Sequence, residues 1–412
     1  MRILVIHQHY LMPGAPGGSR FNEFAQFWSD AGHHIDVVAC AADYNSGYIT
    51  KTNKYRLYTR EQNGSVNVYR CYVPPVYGQG YVGRAVGFAG FAISASLVAR
   101  ILPRPDVIVA SSPPLTVATS GWFAARARLK TVPWIFEVRD LWPESAVTTG
   151  VISETGLLTK TLYGLEALAY KYATCVNVLT PAFEEDIKRR RLAASSKITF
   201  VPNGADLRMF SPQPKDQQLR QQLGWGDKHV FLYAGAHGRA NALGQLVDTA
   251  EQLRHRNDLL IACVGDGPER TALSQRVRKA KLNNIVFHGP VSKSEMPKVV
   301  ASADAGLAVL ANNPTFRTVY PNKVFDYMAC ERPTVLAIDG AARKLVCDDA
   351  QAGVFAKPEN AEDLARVIGE LADSPSKQKK LGEQGRSWVE QHASREMLAK
   401  RYLNIMQKIV KG

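Results

Sequence analysis

The chain has 412 residues, 46% of them hydrophobic and 21% charged, with a formal net charge of +14. That length exceeds one ordinary core and predicts two domains, while the balanced composition excludes fibrous and disordered classes. The basic residues are spread over both halves, which predicts attraction to anions such as nucleotides or anionic membranes; no RNP, zinc-finger or basic-zipper pattern supports nucleic acid as the partner.

The opening "MRILVIHQHY" reads as a short strand and not as a signal peptide, because the apolar run is brief and no cleavage site follows. His7 and His9 stand at i, i+2 spacing there, a pair that suits a metal only with a third ligand, and none is evident. Next comes "MPGAPGGSRFNEF", where Gly17 and Gly18 permit close backbone approach just before a helix opening with Ser19 and Arg20. The loop is either an anion cradle or a plain surface turn, and it lacks both a full G-x-G-x-x-G and a P-loop lysine. Strand patterns then recur at "HIDVVAC", "VNVYRCYV", "DVIVASS", "PWIFEV", "VNVLT" and "KITFVPN", mostly separated by helical segments. Such alternation predicts a parallel, doubly wound sheet. Residues 81–102, "YVGRAVGFAGFAISASLVARIL", carry no charge between Arg84 and Arg100. They read as a helix packed on the sheet, with an interfacial membrane helix as the alternative. Arg139-Asp140 closes the strand "PWIFEV"; Asp140 is a candidate hydroxyl binder or base, or else a turn cap before "LWPES", and Glu144 is a weaker candidate of the same kind.

The Pro- and Gly-rich stretch 202–214 is the predicted linker. The same grammar then restarts with "HVFLYAGA", "LLIACVGD", "NIVFHG", "AGLAVL", "PTVLAI" and "AGVFAK". Beyond Pro358 the pattern is helical, with Asn360 and Asp363 spaced as a capping box. His237 lies in the turn after the first of these strands, as the border of a ligand site or a solvated loop histidine. Gly265 sits in a strand-to-helix glycine turn, "VGDGPE". In "RTVYPNKVFDYMAC" a helix is predicted to open with Pro321 at its first position. The free N–H groups of Asn322, Lys323 and Val324, the helix dipole and the Lys323 charge then make an anion site, or else the stretch is an ordinary core helix whose polar residues are solvated. Asp326, about one turn on, is placed for a ribose diol. The six cysteines show no metal or redox spacing and predict buried reduced thiols.

Taken in order, the Gly17-Gly18 loop, "KITFVPNGADLRMF", "LYAGAHGRANAL", "VGDGPER" and "YPNKVFDYMACERPTVLA" resemble a retaining glycosyltransferase of family 4 with the GT-B architecture. With "EVRDLWPES" and "ASSPPL" the chain resembles most the subgroup of bacterial O-antigen and capsule transferases, notably N-acetyl-L-fucosaminyl transferases. The resemblance implies two Rossmann-like α/β domains facing across a cleft. Residues 1–205 would be the acceptor-side domain, 206–390 the nucleotide-sugar domain, and 391–412 a helix packing back on the first. It implies a UDP-sugar donor whose diphosphate is held by the helix opening at Pro321 and by the Gly17-Gly18 loop, and no metal, since no Asp-x-Asp occurs. It also implies a polyprenyl-diphosphate-linked acceptor and a cytoplasmic, peripheral place at the inner face of the bacterial inner membrane. In the family's E-x7-E motif, Asp326 takes the second acid's place and Thr318 stands where the first acid is expected, which suits a donor with fewer free hydroxyls or else signals lost activity. Arg239 and Lys323 are the nearest cations for the leaving diphosphate, and Arg139-Asp140 stands where many relatives have His. The competing readings are a nucleotide-sugar 2-epimerase of the same fold and a non-catalytic sugar-nucleotide-binding scaffold.

Overall fold

The computed structural model describes residues 1–11, 15, 20–42, 49, 54–77 and 80–411. In chain order the elements are β1 (Arg2–Ile6), α1 (Arg20–Asp30), β2 (His34–Cys40), β3 (Tyr58–Asn63), β4 (Val66–Cys71), α2 (Gly80–Ile101), β5 (Val107–Ser112), α3 (Val117–Arg126), β6 (Trp134–Val138), α4 (Glu144–Thr148), α5 (Leu157–Tyr172), β7 (Cys175–Val178), α6 (Pro181–Arg189) and β8 (Ile198–Phe200). They continue with α7 (Gln217–Gln222), β9 (His229–Ala234), α8 (Gly244–Gln252), β10 (Leu259–Val264), α9 (Arg270–Lys279), β11 (Ile285–His288), α10 (Met296–Ser302), β12 (Ala305–Val309), α11 (Asn322–Ala329), β13 (Thr334–Ala337), α12 (Ala341–Arg343), β14 (Gly353–Phe355), α13 (Ala361–Ala372), α14 (Pro375–His392) and α15 (Arg395–Lys411). The chain divides into two compact units, Met1–Pro202 with Glu396–Gly412, and Asn203–Arg395.

The first unit is built on an eight-stranded sheet ordered β3-β4-β2-β1-β5-β6-β7-β8. Its central strands β5 (VIVASS) and β6 (WIFEV) are mostly apolar and buried along their whole length, as helices on both faces require. One edge departs from the parallel pattern. β3 pairs antiparallel with β4 through the short turn at Gly64, and its outward residues are polar. The two-residue loop Gly64-Ser65, with Gly64 at φ +60, closes that hairpin, and a charged edge strand resists pairing with other chains. The terminal helix α15 belongs to this unit: Leu398, Ala399, Tyr402 and Met406 share one core with Phe21, Phe24 and Trp28 of α1. Trp28 Nε1 donates to the Ala399 carbonyl at 2.9 Å.

The second unit holds a six-stranded sheet ordered β11-β10-β9-β12-β13-β14, parallel throughout. Strand order reverses at β9, which is flanked by β10 and β12, and in the first unit at β1, flanked by β2 and β5. Ligands of doubly wound sheets bind beyond the carboxyl ends of the strands at such points. β9 and β12 pair over only two positions, Ala305 with Phe231 and Gly306 with Leu232, and then part. Tyr327 of α11 fills the parting. The Ala234 N–H donates to its phenolic oxygen at 2.9 Å, and its hydroxyl lies 3.3 Å from the Leu307 carbonyl. Gly306 admits the ring: a Cβ there would stand 2.1 Å from it. At the other end of the unit, Asn360 caps α13 by accepting from the Asp363 N–H at 2.8 Å, while the Asp363 carboxylate turns to the Lys357 N–H instead of closing the box.

Candidate functional site

In the second unit the candidate residues gather where β9 and β10 end. Gly235 takes φ +149 and Gly265 φ +146, and a Cβ on Gly265 would stand 1.9 Å from the Gly235 carbonyl oxygen. Only glycine suits both demands, so the two turns lie against each other with bare backbone. They are stitched by Gly235 N–H to the Val264 carbonyl at 3.0 Å and His237 N–H to the Asp266 carbonyl at 2.8 Å.

Lys323 reaches this point from α11. Its Nζ lies 3.5 Å from the centroid of the Tyr233 ring and would be 3.0 Å from a Cβ on Gly235. The ammonium is sealed from solvent and has no hydrogen-bond partner. Burial pushes its pKa down to about 7, slightly opposed by Cys263. A buried, unsatisfied cation of this kind invites an anion. The Tyr233 hydroxyl donates to the Ala236 carbonyl at 2.8 Å, which holds the ring under the lysine.

The opening of α11 differs from the sequence expectation by one residue. Pro321 is the N-cap, with φ −64 and an extended ψ of 128, and the helix starts at Asn322. Pro321 therefore offers its carbonyl to the Val324 N–H at 3.2 Å, which removes Val324 from the free donors. Asn322 and Lys323 keep theirs, with no partner among the described residues. Asp326 follows on the same helix, next to the buried Tyr327 and Cys330. Thr318 lies in the short 3-10 segment ahead of the helix, where its hydroxyl donates to the Thr315 carbonyl at 2.7 Å.

His237 is fully buried, which removes the solvated-loop reading. Its ring sits 5.5 Å from that of Phe287 and 6.1 Å from that of Tyr233, and neither ring nitrogen has a partner. Burial first, then Arg270, drives its pKa down to about 4, so the imidazole is neutral at pH 7. Arg239 is exposed on a short 3-10 turn and lines a surface pocket with Gln245, Glu269 and Glu359. No contact joins it to Lys323 among the described residues. Gly17 and Gly18 lie outside the described residues.

The first unit carries a second polar cluster where β1 and β6 end. His7 Nε2 is 3.2 Å from Arg139 Nη1, and burial, then Arg139, hold its pKa well below the ordinary range. His9 is pushed down to about 4 by burial, Arg139 and Arg84. Asp140 accepts from the Ser145 hydroxyl at 2.8 Å, a contact of the turn-cap kind, while burial raises its pKa. Glu144 is held by the Tyr163 hydroxyl at 2.5 Å, so its carboxylate braces α4 against α5. Gln8 was not singled out from the sequence, yet it is buried with neither side-chain atom hydrogen-bonded. Nothing in "HQHY" distinguishes it. No group of three His, Cys, Asp or Glu side chains suited to a metal occurs among the described residues.

Residues 17–204 match the glycosyl transferase 4-like domain model, and residues 215–388 match the model of the glycosyl transferases group 1. Among curated proteins, the putative colanic acid biosynthesis glycosyl transferase WcaI of Escherichia coli K12 is 22% identical over 98% of this chain and 99% of its own length. The probable glycosyltransferase WbjE of Pseudomonas aeruginosa is 23% identical over 83% of this chain and 79% of its own. Among solved structures, Anabaena Alr3699/HepE in complex with UDP and glucose superposes with a TM-score of 0.73 at 18% identity, covering 98% of this chain and 99% of that one. That likeness places the chain in the GT-B fold, with two Rossmann-like parallel-sheet domains.

Proposed function

The chain belongs to the group-1 glycosyltransferases, and from that premise we propose that it transfers a sugar from a UDP-sugar, with retention and without a metal, to a lipid-linked saccharide. The carrying observation is the unsatisfied Lys323 ammonium set against Gly235, beside the free N–H groups of Asn322 and Lys323. These donors suit the diphosphate of the donor, and Asp326 suits its ribose diol. Retained roles for Gly265 and His237 are to line the nucleotide with backbone and a neutral ring.

The chemistry follows from where charge develops. As the C1–O bond of the sugar lengthens, negative charge grows on the departing phosphate oxygens, and a cation and amide dipoles already aimed there stabilise it. The acceptor hydroxyl forms the new C1–O bond on the same face and gives its proton to the leaving phosphate. A protein nucleophile is then unnecessary. A bound diphosphate also restores the full charge of Lys323, because an adjacent anion raises a pKa that burial had lowered. Arg239 and Asp140 remain candidates for the diphosphate and for an acceptor or donor hydroxyl, respectively.

Thr318 in place of an acid favours a sugar with fewer hydroxyls, an N-acetylamino 6-deoxy hexose, as in the N-acetyl-L-fucosaminyl transferases that the chain resembles. The name of WcaI, a putative colanic acid biosynthesis glycosyl transferase, supports a setting in bacterial polysaccharide assembly, hence a polyprenyl-diphosphate-linked acceptor at the cytoplasmic face of the inner membrane. The test has two stages. Thermal-shift screening against UDP-, GDP- and dTDP-sugars selects the donor, since at equal concentration the tighter ligand stabilises the folded form more. Incubation of that donor with a polyprenyl-diphosphate saccharide should then yield UDP and a glycosylated lipid whose anomeric configuration, read by NMR, matches the donor's. Nucleotide binding without any product would make the protein a scaffold, and turnover without acceptor would make it an epimerase.

A further inference from the structure

α2 presents two apolar faces. The inward one is expected: Phe91, Ala95, Val98 and Ala99 are buried against the unit. The outward one is not. Val82, Val86, Ile93, Leu97 and Ile101 recur at helical spacing and face solvent, with Val82 77%, Ile93 64% and Ile101 60% exposed. A surface helix of a water-bathed domain turns charged and polar residues outward instead.

The apolar surface continues onto α3. That helix lies along α2, joined by Ser120 Oγ to the Ala92 carbonyl at 3.0 Å, and Arg128, just beyond it, donates to the Ala99 carbonyl at 2.7 Å. Its own outward residues include Trp122 and Phe123, and Leu129 stands fully exposed just after it. The Arg126 guanidinium lies 5.6 Å over the Trp122 ring and 5.3 Å over that of Tyr172.

Charge on this face is of one sign. Between Gln62 and Phe136 the sequence holds one acid, Asp106, and its carboxylate is taken by the Arg2 N–H at 2.7 Å. The cations there are Arg84, Arg100, Arg104, Arg126, Arg128 and Lys130, beside the buried Arg70. None of those six forms an ion pair among the described residues. Burial first, then the charges of Arg100 and Arg104, lower the pKa of Arg128. Unpaired cations bordering bare hydrocarbon call for a partner that is apolar within and anionic at its rim.

We infer that the outward faces of α2 and α3 dock on an anionic lipid bilayer, with α2 lying in the plane of the interface and its arginines among the lipid phosphates. α2 is long and apolar enough to cross a membrane, but 44% of its apolar window is buried in the unit. Spanning would tear that half from its core, whereas lying flat keeps it there and buries only the exposed half. A second copy of the chain is a poorer occupant, because a two-fold interface would set these cations against themselves. The inference stands on this surface alone and holds whether or not sugar transfer is the reaction.

The test is flotation of the full-length protein with vesicles of phosphatidylcholine alone or with about 30% phosphatidylglycerol. The protein should float with the anionic vesicles, float weakly with the neutral ones, and release as salt rises from about 0.1 to about 0.5 M. Ile93→Ser with Leu97→Ser, and separately Arg100→Glu with Arg104→Glu, should each cut partitioning by about tenfold or more, with an unchanged melting temperature. Hydrogen exchange of the unmodified protein, which needs no variant, should slow in α2 and α3 when anionic vesicles are added. Equal partitioning of the variants, failure of the unmodified protein to float, or exchange that slows elsewhere would overturn the inference. So would a dimer in light scattering that the Ile93→Ser, Leu97→Ser pair dissociates, since the face would then be a self-interface.

Discussion

Lys323 holds its ammonium against the Tyr233 ring with no hydrogen-bond partner, and burial takes its pKa from 10.5 to about 7. Between those two values the unfolded chain binds the extra proton and the folded one does not. Stability of the ligand-free protein from this group therefore rises with pH above about 7, by up to about 1.4 kcal/mol per unit. Buried thiols such as Cys40, pushed up to about 12, act the opposite way once unfolded cysteines begin to ionise. Comparing the unmodified protein with Lys323→Met cancels them. Melted without ligand at pH 7 and pH 8.5, the unmodified protein should gain on the variant as pH rises, while the variant is no less stable at pH 7. Its turnover should fall by about a hundredfold or more, because the departing phosphate loses its cation. Parallel melting curves would mean that the amine is not sealed. Asp326→Ala tests a different contact: donor affinity by calorimetry should weaken by roughly 1–3 kcal/mol. An unchanged dissociation constant would take Asp326 out of the site.

α11 owes its position to the wedge at its centre. The Tyr327 hydroxyl supplies the Ala234 N–H with the partner that β12 no longer offers, and Gly306 makes room for the ring. Tyr327→Phe should strand that buried N–H and destabilise the second unit by about 1–3 kcal/mol in urea unfolding. Gly306→Ala should cost about 1–3 kcal/mol by overpacking. Both should lower kcat/KM more than a stability loss alone explains, since Asn322 and Lys323 would move with the helix. Full activity in a destabilised Gly306→Ala would show that the helix tolerates a shift. Elements of this unit were legible in the sequence because strands such as "LLIACV" and the capped helix after Asn360 are specified by local pattern. The helix opening at 321 was legible only to within a residue. Proline fixes φ but leaves ψ free, so it suits the N-cap as well as the first helical turn. The β3 hairpin is hidden in the sequence because "YTREQN" has the polarity of a loop, although Gly64-Ser65 marks the turn. The burial of His237 and Gln8 depends on neighbours distant in sequence, Phe287 among them, and no local pattern announces it.

At the scale of the molecule, the chain leaves the first unit at Pro202 and returns to it at Glu396. The returning helix completes a core that the first 202 residues cannot close alone. Tyr402 is fully buried, with its ring 5.6 Å from Trp28 and 6.0 Å from Phe24, and Met406 and Leu398 lie on the same face. Arg20 adds a polar tie in the same place, pairing with Glu137 at 3.4 Å and donating to the Val201 carbonyl at 2.8 Å, the last turn of chain before the crossing. Buried and hydrogen-bonded on both sides, that ion pair is costly to break from one partner only. Tyr402→Ala should therefore destabilise the first unit by about 3–5 kcal/mol, a large share of what a domain has to lose. Ending the chain at Arg395 should go further, leaving Trp28 and Phe24 open to solvent and the first unit without a cooperative calorimetric transition. The second unit has its own sheet and its own cores, so its transition should survive, along with thermal stabilisation by UDP. The outcome that contradicts this division is loss of both transitions together, which would make the two units one cooperative body with no independent donor-binding half.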